Sequence, residues 1–530
     1  MIDVLVVGSG ASAVNAAWPL VKAGLRVVML DAGIQDRRDY AAEIPSLPFS
    51  EIRRTDENQH DYFLGRDFEG IPFGPVRVGA QLTPPRQYLT HEADNLLPVV
   101  AKQFEALRSF ARGGFASGWG ASAPPFTDDD MRGWPITRDD LQPSYANVAE
   151  RIGVCGENDP ELREFLGGDL PLLPPAKMDS NAAHLMSSYR ARKHALNHRG
   201  FHAGAARLAC VTKRHRGRGP LAYHDMEFWA DKDEAIYRPV YTLHELMKNS
   251  NFEYVPHVVV ESFADSDTHA TLSAKRLQTG TRESFTATKV ILSTGTICTA
   301  DIVLRSLGNA RLPIVSNPYV YYPCFVWSML GRKVRDRRHS LTQLVIYHRP
   351  RNPAEPLLQA QVYGYRSLLT YKLLKESPLP HRESIKLLQL MQNYFVIVGL
   401  HHQDLPTKSK IITLDGDRIS VSYQLSTSEK AMQARNEAEL MRNFSSLGCR
   451  AIKRIDPGAG ASIHYGGTLP MTHDNRPFTT APNGRLRGTR NIHIADGSVF
   501  PHLPSKGLTF TLMANADRIG SAMADEFKKT

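Results

Sequence analysis

The opening stretch, MIDVLVVGSGASAVNAAWPLVKAGLRVVMLDAG, constrains the fold more tightly than any other part of the chain. An apolar run from Ile2 to Val7 meets Gly8-Ser9-Gly10-Ala11-Ser12-Ala13. An amphipathic segment then runs to about Gly24, and a second apolar run, Val27 to Leu30, ends in Asp31. The periodicity predicts strand, glycine turn, helix and strand, with an acid about 20 residues past the turn, which is the layout of a dinucleotide-binding unit. Gly8 suits the tight turn, Gly10 lets the backbone approach a pyrophosphate, and Ala13 permits close helix–strand packing. The helix N-terminus would turn unpaired N–H groups and the positive end of its dipole toward the phosphates. Asp31 can accept hydrogen bonds from a ribose and would repel a 2′-phosphate. Pro19 lies inside the predicted helix, where it removes one backbone hydrogen bond and implies a bend.

At 530 residues the chain can form two or more units, each with its own core. With 42% hydrophobic and 22% charged residues, it reads as a folded globular protein and not as a disordered one. No run approaches the roughly 20 apolar residues that span a bilayer. The first residues already read as a strand and not a leader, so a cytoplasmic protein without a transmembrane segment is expected. Cys155, Cys210, Cys298, Cys324 and Cys449 are odd in number, widely spread and form no CxxC pair, which implies reduced thiols.

The net charge of +10 is concentrated. Between Arg190 and Arg218 lie nine Lys/Arg, four His and no acid, and a second basic knot comprises Arg332, Lys333, Arg335, Arg337 and Arg338. Two readings stand: solvated surface, or attraction to an anionic partner such as an acidic substrate or a membrane surface. Nucleic acid is not expected, because aromatic residues are not interleaved as stacking platforms require. His194, His198, His202 and His215 lack supporting carboxylates or cysteines, so no metal is expected.

Further along, RGGFASGWGA (Arg112–Ala121) is a dense glycine loop, and Thr137 or Asp139 can cap a helix starting near Leu141. EYVPHVVVESF, between Phe252 and Phe263, reads as one strand. KVILS (Lys289–Ser293) reads as a buried strand ending at Thr294-Gly295, followed by a helix through Leu307 with a Gly308 stop. Residues 340–425 alternate in places, implying antiparallel strands. Leu440–Ile452 reads as helix then turn, NIHIA (Asn491–Ala495) as a last strand and Thr509–Phe527 as a last helix. The expected fold is therefore α/β. A Rossmann-like domain is assembled from residues 1–150, 220–310 and 446–530, and an α+β domain containing an antiparallel sheet is inserted as residues 151–219 and 311–445.

Four blocks together resemble the glucose–methanol–choline (GMC) flavin oxidoreductases: the N-terminal fingerprint, GGFASGWGA, KVILSTGTICTADIVLRSLG, and IHYGGTLPM…NIHIADGSVFP…TFTLMANADRIG. The resemblance implies non-covalent FAD held by Gly8, Gly10, Ala13, Asp31, Gly114, Ser117, Trp119, Gly120, Val260, Gly295, Asp496, Gly497 and Thr509. The helix starting at Thr509 would point at the flavin edge where negative charge develops. His464 matches the catalytic histidine that takes the hydroxyl proton while hydride passes to flavin N5. The family's second histidine or asparagine aligns with Gly507, which has no side chain, so His502, Ser505 or Lys506 is expected to reach that space, or the role is absent. His60 and His91 are the histidines considered for a covalent flavin link. The substrate implied is a small molecule, anionic or glycosidic: a secondary alcohol on a sugar, glycoside or polyol, with oxygen or another acceptor reoxidising the flavin. Tyr319, Tyr321, Tyr322, Phe325, Trp327, Tyr347, Tyr363 and Tyr365 could stack on sugar rings or pack as sheet core. Two alternatives stay open, a non-oxidative lyase or decarboxylase using FAD and an inactive flavin-binding protein.

Overall fold

The computed structural model describes residues 2–35, 44–59, 61, 84–308, 310–330, 332, 338–364, 377–391 and 394–529. At its centre is a five-stranded parallel sheet of β1 (Val4–Val7), β2 (Val27–Leu30), β3 (Phe252–Val255), β4 (Lys289–Leu292) and β5 (Ile492–Ile494), in the order β5-β4-β1-β2-β3. Every residue of β1 and β2 is buried, as parallel strands covered on both faces require. The chain runs outward from β1 through β2 to β3 and then returns to the other side of β1 as β4. That reversal opens a crevice at the carboxyl ends of β1 and β4, where open parallel sheets take ligands.

The helices covering the sheet include α1 (Ala11–Lys22), α2 (Arg138–Ile152), α3 (Thr296–Leu307) and α4 (Thr509–Phe527). α1 continues through Pro19 to Lys22. It packs against α4 so closely that a Cβ on Gly520 would lie 2.2 Å from the Ala16 carbonyl oxygen. Where the two helices meet α2, Arg151 donates to Asn15 Oδ1 (2.6 Å) and to Asp517 Oδ1 (2.7 Å), with all three residues buried. A buried pair of this kind is costly to break, because one partner alone leaves an uncompensated charge.

A six-stranded antiparallel sheet stands beside this core, in the order 449–451, 319–326, 395–401, 358–364, 344–348, 201–205. Its own apolar cluster includes Val320, Cys324, Ile346, Val398 and Phe444. A four-stranded sheet joins 312–313, 410–415, 418–423 and 99–102, and residues 258–265, 270–276 and 282–287 form an antiparallel meander.

Several local expectations change. EYVPHVVVESF is two strands and not one, because Pro256 and His257, the latter at φ 62°, turn the chain out of the parallel sheet and into the meander. Leu440–Ile452 begins within the helix Thr427–Ser446 and turns at Leu447–Gly448 as expected, but the turn leads into an edge strand, Cys449–Ala451. Two strands cross the expected domain limits: Val99–Lys102 pairs with Arg418–Tyr423, and Cys449–Ala451 pairs with the inserted sheet. The Arg190–Arg218 segment covers the end of the helix Ser180–Asn197 and the strand Phe201–Ala205. Its Arg207 and Arg218 are buried and spent largely on backbone carbonyls. In the second basic knot, Lys333, Arg335 and Arg337 lie outside the described residues.

The α1–α4 contact yields a direct check. Gly520→Val should lower stability by about 1–3 kcal/mol through overpacking, read as a drop in the thermal midpoint. An unchanged midpoint would mean that the two helices can part freely.

Candidate active site

The carboxyl ends of β1, β2, β4 and β5 open into a single large cavity of about 1340 Å³. At the sheet's switch point, Gly8 has φ 100°, and a Cβ there would sit 2.6 Å from the Ser293 carbonyl oxygen. Only glycine allows β1 and β4 to end this close together. Three helices begin at the cavity wall, α1 at Ala11, α3 at Thr296 and α4 at Thr509. None of the three has a side-chain cap or an acid in its first turn. Two helices away from the cavity differ: Thr137 with Asp140, and Ser426 with Glu429, form complete capping boxes. The cavity therefore receives uncapped helix N-termini, whose N–H groups and dipoles favour anionic groups.

The glycines agree. A Cβ on Gly10 would approach no heavy atom closer than 3.9 Å, and on Gly120 or Gly295 it would meet nothing within 4 Å, although all three border the cavity. Their missing side chains leave room for a ligand to lie against backbone. Asp31 borders the cavity at the end of β2, where its Oδ2 accepts from Ser9 Oγ (2.5 Å) and Tyr254 OH (2.8 Å). Burial pushes this carboxyl up to about 6, against the pull of those two hydroxyls. Gly114, Trp119, Val260, Gly497 and Thr509 also line the wall, and Trp119 Nε1 donates to the Tyr237 carbonyl.

Asp496 occupies a tighter position. Its Oδ2 accepts from Gly295 N (2.9 Å) and Thr299 Oγ1 (2.5 Å), and its Oδ1 accepts from Ser498 N (2.9 Å). It thus fastens the end of β5 to the start of α3. Burial raises its pKa, partly offset by these donors. Two expected ligand contacts are absent from the wall. Ala13 is wholly buried behind the glycine turn, and Ser117 turns its hydroxyl to the Arg112 carbonyl (3.3 Å).

At the opposite side lies His464. Its Nδ1 is 3.2 Å from Asn317 Oδ1, and the Asn317 Nδ2 donates to the carbonyls of His402 (2.8 Å) and Pro504 (2.7 Å). Two carbonyls fix which end of the amide is nitrogen, so Oδ1 must face the imidazole as an acceptor. The His464 proton then resides on Nδ1, leaving Nε2 bare. Burial holds the ring down to about 4, so it is neutral at pH 7. Beside it, His401 stacks at 5.0 Å between centroids with 19° between planes. His401 borders the cavity, is only 7% exposed, and its Nδ1 has no hydrogen-bond partner among the described residues. Neither Asn317 nor His401 stands out from the sequence.

The residues expected to stand in for Gly507 face elsewhere. His502 Nδ1 accepts from Trp134 Nε1 (3.2 Å), and its Nε2 donates to the Asp130 carbonyl (2.9 Å). Lys506 is wholly buried on Asp130 and the Phe165 carbonyl, and Ser505 is buried outside the wall. Gly507 itself does border the cavity. Of the aromatic residues, Tyr319, Tyr321 and Tyr363 line it. Tyr322 instead donates to Glu437, Phe325 and Tyr347 pack in the sheet's apolar clusters, Trp327 is exposed, and Tyr365 lies outside the described residues. His91 is an exposed partner of Glu92, and His60 lies outside the described residues.

Residues 417–516 match the family model of the GMC oxidoreductases. Over 98% of its length the chain is 25% identical to 6'''-hydroxyparomomycin C oxidase of Streptomyces lividus, covering 91% of that protein. The chain is similar to the GMC oxidoreductases. In fold it is similar to pyridoxine 4-oxidase from Mesorbium loti, with a TM-score of 0.59, 14% identity and all of both chains covered. It is similar in fold also to a formate oxidase from Aspergillus oryzae, with a TM-score of 0.60, 14% identity, and 100% of this chain and 99% of that one covered. The enzyme is an FAD-dependent oxidoreductase acting on alcohol-type substrates. Its uncapped helix ends and side-chain-free glycines fit the phosphates and ring of that group.

Gly10→Val tests this fit. Its branched side chain would enter the cavity at the start of α1, so the protein should fold yet bind FAD about tenfold or more weakly, as judged by flavin fluorescence quenching. Undiminished FAD affinity would place the cofactor's phosphates elsewhere.

Proposed function

We propose that this enzyme oxidises a CH–OH group on a neutral hydroxylated ring compound, such as a sugar, glycoside or polyol, with His464 as the base. The observation that carries the reading is the Asn317–His464 contact, which leaves a neutral imidazole with a bare Nε2 at the cavity wall. An alcohol gives up hydride readily only as its hydroxyl proton leaves, and a neutral imidazole is the side chain suited to take that proton. FAD, when bound, supplies the hydride acceptor. Gly10, Gly120 and Gly295 would leave room for it, Asp31 would accept from the adenosine ribose, and the α4 N-terminus at Thr509 would favour charge on the flavin ring.

Polar and aromatic groups opposite support a hydroxylated substrate. Gln361 accepts from Thr342 Oγ1 (3.1 Å) and the Tyr363 hydroxyl and donates to Ser122 Oγ (3.1 Å), and it lines the cavity with Tyr319, Tyr321 and Tyr363. The name of the Streptomyces lividus relative likewise describes an oxidase of a hydroxy compound. The basic segment lends no support to an anionic substrate, since none of its nine basic residues between Arg190 and Arg218 borders the cavity. Among the described residues no helix is long and apolar enough to cross a membrane, and no cluster of three metal-ligating side chains occurs.

Two measurements test the reading. Anaerobic mixing with a panel of sugars and glycosides should bleach the flavin band, and His464→Ala should keep the bound cofactor while slowing bleaching by about 100-fold or more. Undiminished bleaching in that variant would remove His464 from the chemistry. The pH profile has a definite sign. Protonation destroys the base and burial holds its pKa near 4, so kcat/KM should stay level from neutral pH to about 5 and fall only as pH drops through 4. A fall centred near ~6.5, the ordinary histidine value, would show a solvated imidazole.

A further inference from the structure

We propose that His401 is a second catalytic residue, its ring N–H holding the substrate oxygen while His464 Nε2 takes the proton. The inference rests on the reading of His464 as the base. Four observations carry it. The ring lies parallel to His464 at 5.0 Å, close enough for both imidazoles to address one substrate atom. It borders the cavity, and its Nδ1 is buried without a partner among the described residues; an N–H there would go unsatisfied at a cost in free energy, so the ring proton belongs on Nε2. Gly507 leaves the space before α4 without a side chain, while His502 and Lys506 are committed to Asp130 and its surroundings. Finally, burial and the neighbouring His464 and His402 hold His401 well below the ordinary histidine range.

A neutral imidazole carries one N–H and one bare nitrogen. With His464 fixed by Asn317 as the acceptor, His401 is the donor of the pair. The alcohol O–H proton passes to His464 Nε2, the C–H hydride leaves to the flavin, and the oxygen becomes that of the product carbonyl. The oxygen gains negative charge as its proton departs, and a donor aimed at developing charge strengthens along the reaction, so its effect falls on the limiting rate more than on KM. The strand Phe395–His401 thus delivers from the antiparallel sheet what the chain lacks at Gly507.

The test uses FAD-loaded enzyme and an alcohol that bleaches the wild type. His401→Phe keeps a stacking ring without a donor, His401→Ala removes both, and His401→Asn keeps an N–H. The proposal expects the Phe and Ala variants to lower the limiting bleaching rate by about 100-fold and to weaken binding of the matching carbonyl product, followed as a shift of the flavin spectrum. Asn should recover a large part of both. Wild-type rate and carbonyl affinity in the Phe or Ala variant, with His464→Ala slow, would overturn the role of His401 and leave the base assignment standing. A fast His464→Ala variant would overturn the base assignment instead. Equal losses in Phe, Ala and Asn would reduce His401 to packing and overturn the proposal.

Discussion

The site depends on how closely two parallel strands end. β1 and β4 deliver Gly8 and Ser293 to the same point, with room for no side chain between them. Their neighbour β5 delivers Asp496, whose carboxylate takes an N–H and a hydroxyl from the start of α3 and an N–H from the turn after β5. These contacts hold the N-termini of α1 and α3 at a common wall, and α4 reaches the same wall from the far end of the chain. A side chain at Gly8 would separate the strands, and with them the two helix ends that make the cavity selective for anionic groups.

Across that cavity the second sheet contributes polarity of another kind. The amide of Asn317 is oriented by two main-chain carbonyls and in turn orients His464. The His464 imidazole is therefore set in place by backbone from the strand leaving His401 and from the loop preceding α4, two segments about 100 residues apart in sequence. Burial does the rest by removing the water that would stabilise an imidazolium. A neutral imidazole with a defined tautomer follows from packing.

Much of the parallel half was legible in the sequence, because its signals are local. Val4–Val7, the Gly8–Ala13 turn, Lys289–Leu292 and the Thr509 helix each announce themselves within a few residues by period and punctuation. The candidate base was legible through its neighbours in HYGGT. Asn317 and His401 were not, since nothing local marks them: their closeness to His464 arises only when strand 319–326 pairs with 395–401 and the chain returns at residue 464. The same long-range assembly explains the misplaced stand-ins. His502, Ser505 and Lys506 lie within a few residues of Gly507, but the loop before α2 draws His502 and Lys506 toward Trp134 and Asp130, and Ser505 is buried away from the wall. Proximity in sequence was a poor guide there, and in EYVPHVVVESF one apolar run concealed the turn at Pro256 that divides it between two sheets.

The central claim is that one cavity holds the flavin ring between His464 and the amino end of α4. A crystal structure of the FAD-loaded protein tests it most directly. The account predicts ring density bounded by the His464 imidazole and Thr509, with the dinucleotide phosphates against Gly10 and Ala11. Density for the ring outside this cavity, or an imidazole turned so that Asn317 no longer meets Nδ1, would contradict it.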